Sequence, residues 1–255
     1  MKGSPMHDSV LLLWRPLIKE AVRILSPDFD YLSVLASDTA GKMYQVRTRS
    51  SDMRDFMCER GIVARAIQDG VVVEVSLNDL PATGKLLARK LGSLLNAQFQ
   101  WISENHVETL DVHLKDETKI EDFIVLAQIP FTSISTQDKL ARLRKLVTDV
   151  AAKDERILNA VSVLGEVTVN KLFISKHKDL YQSYPWSQGY LMAIAKGDKG
   201  VKMGFTSVAG QKGAEILDEL ETKTDTLVKQ VDDILNAKAM VPGEYDVICT
   251  PEITG

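Results

Sequence analysis

Val201-Lys-Met-Gly-Phe-Thr-Ser-Val-Ala-Gly210 runs through Gln-Lys-Gly213 into Ala214-Glu-Ile-Leu-Asp-Glu-Leu220, a strand-like run, a glycine release and the start of a helix. Ile216, Leu217, Leu220, Leu227, Val231, Ile234 and Leu235 mark one apolar face, which predicts a single long amphipathic helix from Glu215 to Ala239. Upstream, Glu166–Ser175 alternates with Val167, Val169 and Phe173 on one side. Tyr190–Lys196 and Val201–Gly210 are two further strands around the turn Gly197-Asp-Lys-Gly200. The pattern is an antiparallel meander that ends in a helix. Downstream, Val241-Pro-Gly-Glu-Tyr forms a turn, and Tyr245-Asp-Val-Ile-Cys-Thr250 is expected to be the first strand of a further unit.

Nearer the N-terminus, Asp8 or Ser9 can cap a helix to about Leu25, with Leu12, Leu13, Leu17, Val22 and Leu25 inward and Pro16 inside it. Tyr31–Ala36 and Lys42–Arg47 are expected as two strands around the turn Ser37-Asp-Thr-Ala-Gly41, followed by a short helical piece near Ser51–Cys58. Asp69-Gly70 between two β-branched runs signals a hairpin. Asp79 and Pro81 mark a helix start, and Glu121–Pro130 a strand. Ser135 with Asp138 suggests a capping box for a helix to about Ala152. The fold class is α+β, with mixed or antiparallel sheets covered by helices, a long C-terminal helix and the first strand of a missing domain. The expected units are 1–115 (N-terminal α+β), 116–240 (meander and long helix) and 241–255 (the start of a truncated C-terminal β-rich domain), with the main boundary near Leu114–Ile120.

The composition, 45% hydrophobic and 26% charged, is that of a soluble globular protein. A formal net charge of −4 gives no electrostatic reason to expect nucleic acid. Val10-Leu-Leu-Leu-Trp14 is too short to span a membrane, and Arg15, Lys19 and Glu20 interrupt it. Two cysteines, Cys58 and Cys249, without Cys-x-x-Cys spacing, fit a reducing cytoplasmic setting, with one long-range disulfide left open.

Phosphate-loop, dinucleotide, nucleophile-elbow and His-Glu-x-x-His motifs are absent from the sequence. His106, Asp111, His113, Asp116 and Glu117 invite a metal, but the seven-residue spacing of the histidines fits no standard ligand pattern, and a solvated connector is favoured. Lys139, Arg142, Arg144 and Lys145 form a basic helix face, read as solvated rather than as a phosphate or RNA site. Cys58 with His177 is a weak nucleophile–base pair, because Glu59 beside the thiol disfavours the thiolate; a plain buried cysteine is the expectation. His177, Tyr181, Tyr184, Trp186 and Gln188 form an aromatic, polar segment that could line a peptide- or partner-binding groove; packing over a sheet edge is the competing reading.

From Arg156 to Gly255 the order of features resembles the TldD/PmbA family, the modulators of DNA gyrase and zinc metallopeptidases, in its N-terminal region only. The resemblance rests on Ser187-Gln-Gly, Met192–Ala209, Gly210-Gln-Lys-Gly-Ala-Glu and the helix to Ala239. Its most specific part is Val241-Pro-Gly-Glu-Tyr-Asp-Val-Ile-Cys-Thr-Pro-Glu-Ile-Thr-Gly255. Gly61–Gly70 fits in outline, whereas Met1–Ser50 departs from the family pattern. The resemblance implies subunit pairing and peptide-substrate access in a metallopeptidase-like protein, as a homo- or hetero-dimer with a TldD/PmbA-type subunit. It implies zinc only in the full-length active branch, on a His-Glu-x-x-x-His motif that this chain stops short of, so no catalytic or metal residue carries over. The alternative is a non-catalytic, PmbA-like partner or scaffold that binds a protein or peptide. A gyrase- or nucleic-acid-associated role follows only from the family's label, and the net charge opposes it.

Overall fold

The computed structural model describes residues 9–105, 117–238 and 240–250. Branched and small residues at alternate positions carry two long strands, β6 (Ile157–Ser175) and β7 (Lys178–Gly197), through the centre of one eight-stranded sheet. The other strands are β1 (Tyr31–Arg47), β2 (Ser51–Asp55), β3 (Glu59–Gln68), β4 (Val71–Leu77), β5 (Lys119–Ile124) and β8 (Gly200–Gly210). The order is β4-β3-β1-β6-β7-β5, with β2 beside β1 and β8 beside β7. All pairs are antiparallel except β5 with β7. The helices are α1 (Val10–Leu25), α2 (Gly84–Glu104), α3 (Thr136–Lys153), α4 (Ile216–Glu221) and α5 (Thr224–Asn236). The fold is α+β, and the expected meander is β6-β7-β8.

Local chemistry explains the junctions. Asp69 (φ 50°) and Gly70 (φ 78°) make the two-residue turn between β3 and β4, both left-handed as a type I′ hairpin requires. Ser9 caps α1, and the Ser135 hydroxyl accepts the Asp138 amide at 3.1 Å while meeting the Asp138 carboxylate at 2.7 Å. Thr83 rather than Asp79 caps α2, so the helix begins after Pro81.

Several expected boundaries differ. Tyr31–Arg47 is one strand, because β6 pairs with it continuously from Ser33–Ser175 to Arg47–Val161. The expected turn at Ser37–Gly41 is where the partner on the other side changes from β3 to β2. Gly41 permits that change: a Cβ there would stand 2.3 Å from the Glu166 carbonyl oxygen and 2.7 Å from that of Phe56. Ser51–Asp55 is a strand, not a helical piece, captured by the free edge of β1. The predicted 215–239 helix is two helices, broken at Thr222-Lys223. Tyr245–Thr250 is not a strand, because no strand among the described residues pairs alongside it.

Among the described residues, the five α-helices cover one face of the sheet in two groups. α1 and α2 pack on Leu32, Val34, Ala36, Ala64, Val73 and Leu172. α3, α4 and α5 pack on Tyr44, Val46, Leu164, Leu191 and Ala193. A charged cluster sits beside the second group. The Lys139 ammonium, in the first turn of α3, reaches Glu166 on β6 at 2.7 and 2.9 Å. The Tyr44 hydroxyl donates to the same carboxylate at 2.9 Å, and the ammonium lies 5.2 Å from the Tyr44 ring centre. Lys139 is 3% exposed and Glu166 6%, so each charge depends on the other. Burial, with Glu166 as hydrogen-bond acceptor, pushes the Tyr44 phenol up to about 12.

Two further ties position the elements. Glu215 accepts the amides of Gly213 and Ile129 at 2.9 Å each, and Ala214 donates to the Ile129 carbonyl at 2.7 Å. Burial would raise this carboxyl, but the amides hold it below the usual range. On β7, Asp179 accepts from Arg15 and Lys19 of α1, each at 2.8 Å, and Arg15 also grips Asp122 of β5 at 2.9 Å.

Lys139→Met is expected to cost about 3–5 kcal/mol, because it strands a buried carboxylate. Lys139→Met with Glu166→Leu should recover most of that loss, as read by urea denaturation in a double-mutant cycle. Burial opposes ionisation of Asp179, but its hydrogen bonds to Lys19 and Arg15 depress its pKa below the ordinary 3.8. Its contribution is therefore complete above that value and is lost as pH falls through the lower folded value. Asp179→Asn should lower stability by about 1–2 kcal/mol at pH 7, with the difference from wild type shrinking below about pH 4 in denaturation curves.

Candidate docking face on the open side of the sheet

Opposite the helices, the sheet presents a face on which none of the described helices packs. Period-two alternation decides what shows there. Along β7 the outward residues are Gln182, Tyr184, Trp186, Gln188, Tyr190 and Met192, and across the ladder Tyr184 faces Val169, Trp186 faces Val167 and Tyr190 faces Val163. Val163, Val167 and Val169 are buried although none of the described helices covers them, beside larger cross-strand neighbours that can shield them. Gly165 faces Gln188 on one side and Met43 on the other, and the Phe56 ring lies over it, 3.3 Å from where a Cβ would stand. On β8, Phe205 stacks at a tilt on Tyr190 with ring centres 5.5 Å apart, and Met203 and Val201 continue the apolar strip. Trp186 remains 38% exposed, Phe205 47% and Met203 56%, giving an apolar, aromatic surface with no second layer among the described residues.

The five residues singled out in the sequence divide. Tyr184, Trp186 and Gln188 come together on this face. Tyr181 points to the helix side, where it is buried and its hydroxyl donates to Asn170 at 3.3 Å. His177 is exposed in the β6–β7 turn, where its amide donates to the Ser175 hydroxyl. Tyr190, Met192, Met203 and Phe205 complete the face, and sequence reasoning missed them. The signal was available: 184, 186, 188, 190 and 192 continue one alternation through a stretch read as two elements.

Other candidate chemistry is accounted for differently. Cys58 is exposed, not buried, and lies beside the Gly41 carbonyl, whereas His177 follows Ser175, the partner of Ser33. The eight residue steps of β1 from Ser33 to Gly41 rise about 26 Å, so the two cannot act as a pair. Cys249 is also free and exposed. Three of the four basic residues of α3 form a clasp within the chain: Arg142 meets Asp218 and Glu221, Arg144 donates to the carbonyls of Arg47 and Ser50, and Lys139 is buried on Glu166, whereas Lys145 is solvated and pairs with Asp149 of the same helix. His106, Asp111, His113 and Asp116 lie outside the described residues. Among the described residues no group of three His, Cys, Asp or Glu side chains could hold a metal ion. No helix among the described residues is long and apolar enough to cross a membrane.

No family model and no curated protein matches the sequence. Solved structures match by fold. A protein from Thermotoga maritima, named as a modulator of a DNA gyrase, superposes with a TM-score of 0.68 over 89% of this chain at 13% identity. A modulator of DNA gyrase from Bacteroides thetaiotaomicron gives 0.67 over 88% at 15% identity, and TldE from Thermococcus kodakarensis 0.56 over 85% at 14%. This chain spans about half the length of each, 50%, 50% and 47%. The likeness to the TldD/PmbA proteins read from Arg156–Gly255 therefore extends to the fold: this chain has the architecture of the gyrase-modulator and TldE proteins over about half of their length.

Proposed function

We propose that this chain is the sheet-bearing region of a TldD/PmbA-type protein and works as a pairing and peptide-access module, in a reducing cytoplasmic setting. The uncovered aromatic face carries this reading. Trp186 and Phe205 stand exposed, with Tyr184 and Tyr190 partly exposed beside them, on paired strands, the residue types and placement that anchor protein interfaces. The fold shared with TldE favours a subunit of the same kind as the partner. The described residues offer no zinc site, so no metal-dependent step is assigned to them, and hydrolysis would belong to a region or subunit that carries the ligands. The non-catalytic partner or scaffold reading rests on the same face and differs only in what the bound peptide or protein undergoes afterwards.

Light scattering after size exclusion, on the chain alone and mixed with a purified TldD-type subunit, tests the pairing. The expected result is a dimer or a mixed complex at micromolar concentration. Trp186→Ala with Phe205→Ser should weaken it by about 30-fold or more, corresponding to about 2 kcal/mol, with little change in melting temperature. A wild-type chain that stays monomeric in both experiments, or a double variant that pairs as well as wild type, overturns the reading.

A further inference from the structure

β8 is an edge strand, and a single hydrogen bond shows which of its backbone groups are free. The Phe205 amide donates to the side-chain oxygen of Gln230 on α5 at 2.9 Å, so it points away from β7. Alternation along a regular antiparallel ladder then turns the amides and carbonyls of Met203, Ser207 and Ala209 to the same free edge. Two other edge strands are dense in charges of the kind that discourage strand addition, Asp52, Arg54 and Asp55 on β2 and Lys119, Glu121 and Asp122 on β5, whereas β4 carries only Glu74. β8 carries only Lys202.

The chain itself returns to this edge. α5 runs back along β8, packing Val231 and Leu227 against Gly204, and ends at Asn236. Lys199, in the β7–β8 turn, donates to the Ala237 carbonyl at 3.0 Å, which fixes the chain exit beside the first residues of β8. Seven residues, 238–244, then lead to Tyr245-Asp-Val-Ile-Cys-Thr250. They can span up to about 23–25 Å, whereas a neighbouring strand lies only about 4.8 Å away. The Tyr245 hydroxyl donates to the Val241 carbonyl, closing the Pro242-Gly243 bend. Val247 is 76% exposed and Ile248 94%, a strand-forming pair left largely to solvent.

We infer that Tyr245–Thr250 docks on the free edge of β8 as a ninth strand, parallel to β8. A strand–helix–strand unit would then be completed by α4 and α5, with the Gln230 side chain displaced from the Phe205 amide by an incoming carbonyl. Closing the edge in this way extends the open face past Phe205 and removes the site at which another chain could add a strand.

Disulfide trapping tests the docking. In a Cys58→Ser background, Ser207→Cys or Ala209→Cys is paired with the native Cys249 and oxidised with copper phenanthroline. The expected product is an intramolecular disulfide in the monomer, found by peptide mass mapping, at a yield at least tenfold above that of a control with Asp52→Cys on β2. Amides 203, 207 and 209 should also exchange with deuterium at least tenfold more slowly in the wild type than in Val247→Pro/Ile248→Pro. A yield no better than the control together with equal exchange overturns the inference. A covalent dimer in place of the intramolecular product also overturns it, by assigning the edge to a second copy.

Discussion

The antiparallel pairing of β1 with β6, unbroken from Ser33–Ser175 to Arg47–Val161, is the constraint on which the remaining architecture depends. Each strand crosses both helix groups, so Val34 and Ala36 at one end and Tyr44 and Val46 at the other serve different hydrophobic cores on the same two backbones. Slipping the register by one residue would turn both cores out to the open face at once. Neither core can therefore reorganise alone. The buried Lys139–Glu166 pair sits near the junction and ties α3 to the same strand, where its geometry specifies how the helix docks more than it adds net stability.

The open face shows a different physical balance. Val163 and Val167 are almost fully buried there although none of the described helices packs on them; across the ladder they stand opposite Tyr190 and Trp186 of β7. Removing apolar area from water contributes about 25 cal/mol per Å², so the shielding aromatics lower the cost of leaving this side uncovered without abolishing it. The residual exposure of Trp186, Met203 and Phe205 is what makes the face a candidate for recognition.

Much of this was legible in the sequence because it is governed locally. The Asp69-Gly70 turn, the Ser135 cap, the Gly197–Gly200 turn and the helical face of Leu217, Leu220, Leu227 and Val231 each rest on residues close together in the chain. Where sequence reasoning missed, a distant partner decided. Ser37–Gly41 has turn composition but is held straight by Val167–Lys171, and Ser51–Asp55 is extended because β1 offers it an edge. In the candidate face, Tyr184, Trp186 and Gln188 were found by their composition. Tyr181 was included although it points the other way, and Phe205 was omitted although it touches Tyr190 across the hairpin. Composition marks a segment, but only strand period and register assign its side chains to a face.

The segment joining β5 to α3 has almost no regular structure, yet it is clamped. Glu215 holds the Ile129 amide, Ala214 binds the Ile129 carbonyl, and a Cβ on Gly213 would come within 2.1 Å of that same oxygen. Nicking requires backbone that can leave its hydrogen bonds, and this crossing cannot do so without releasing the start of α4. The stretch should therefore behave as interior despite its loop sequence, resisting nicking in the native state and tolerating neither insertion nor deletion where it meets Gly213.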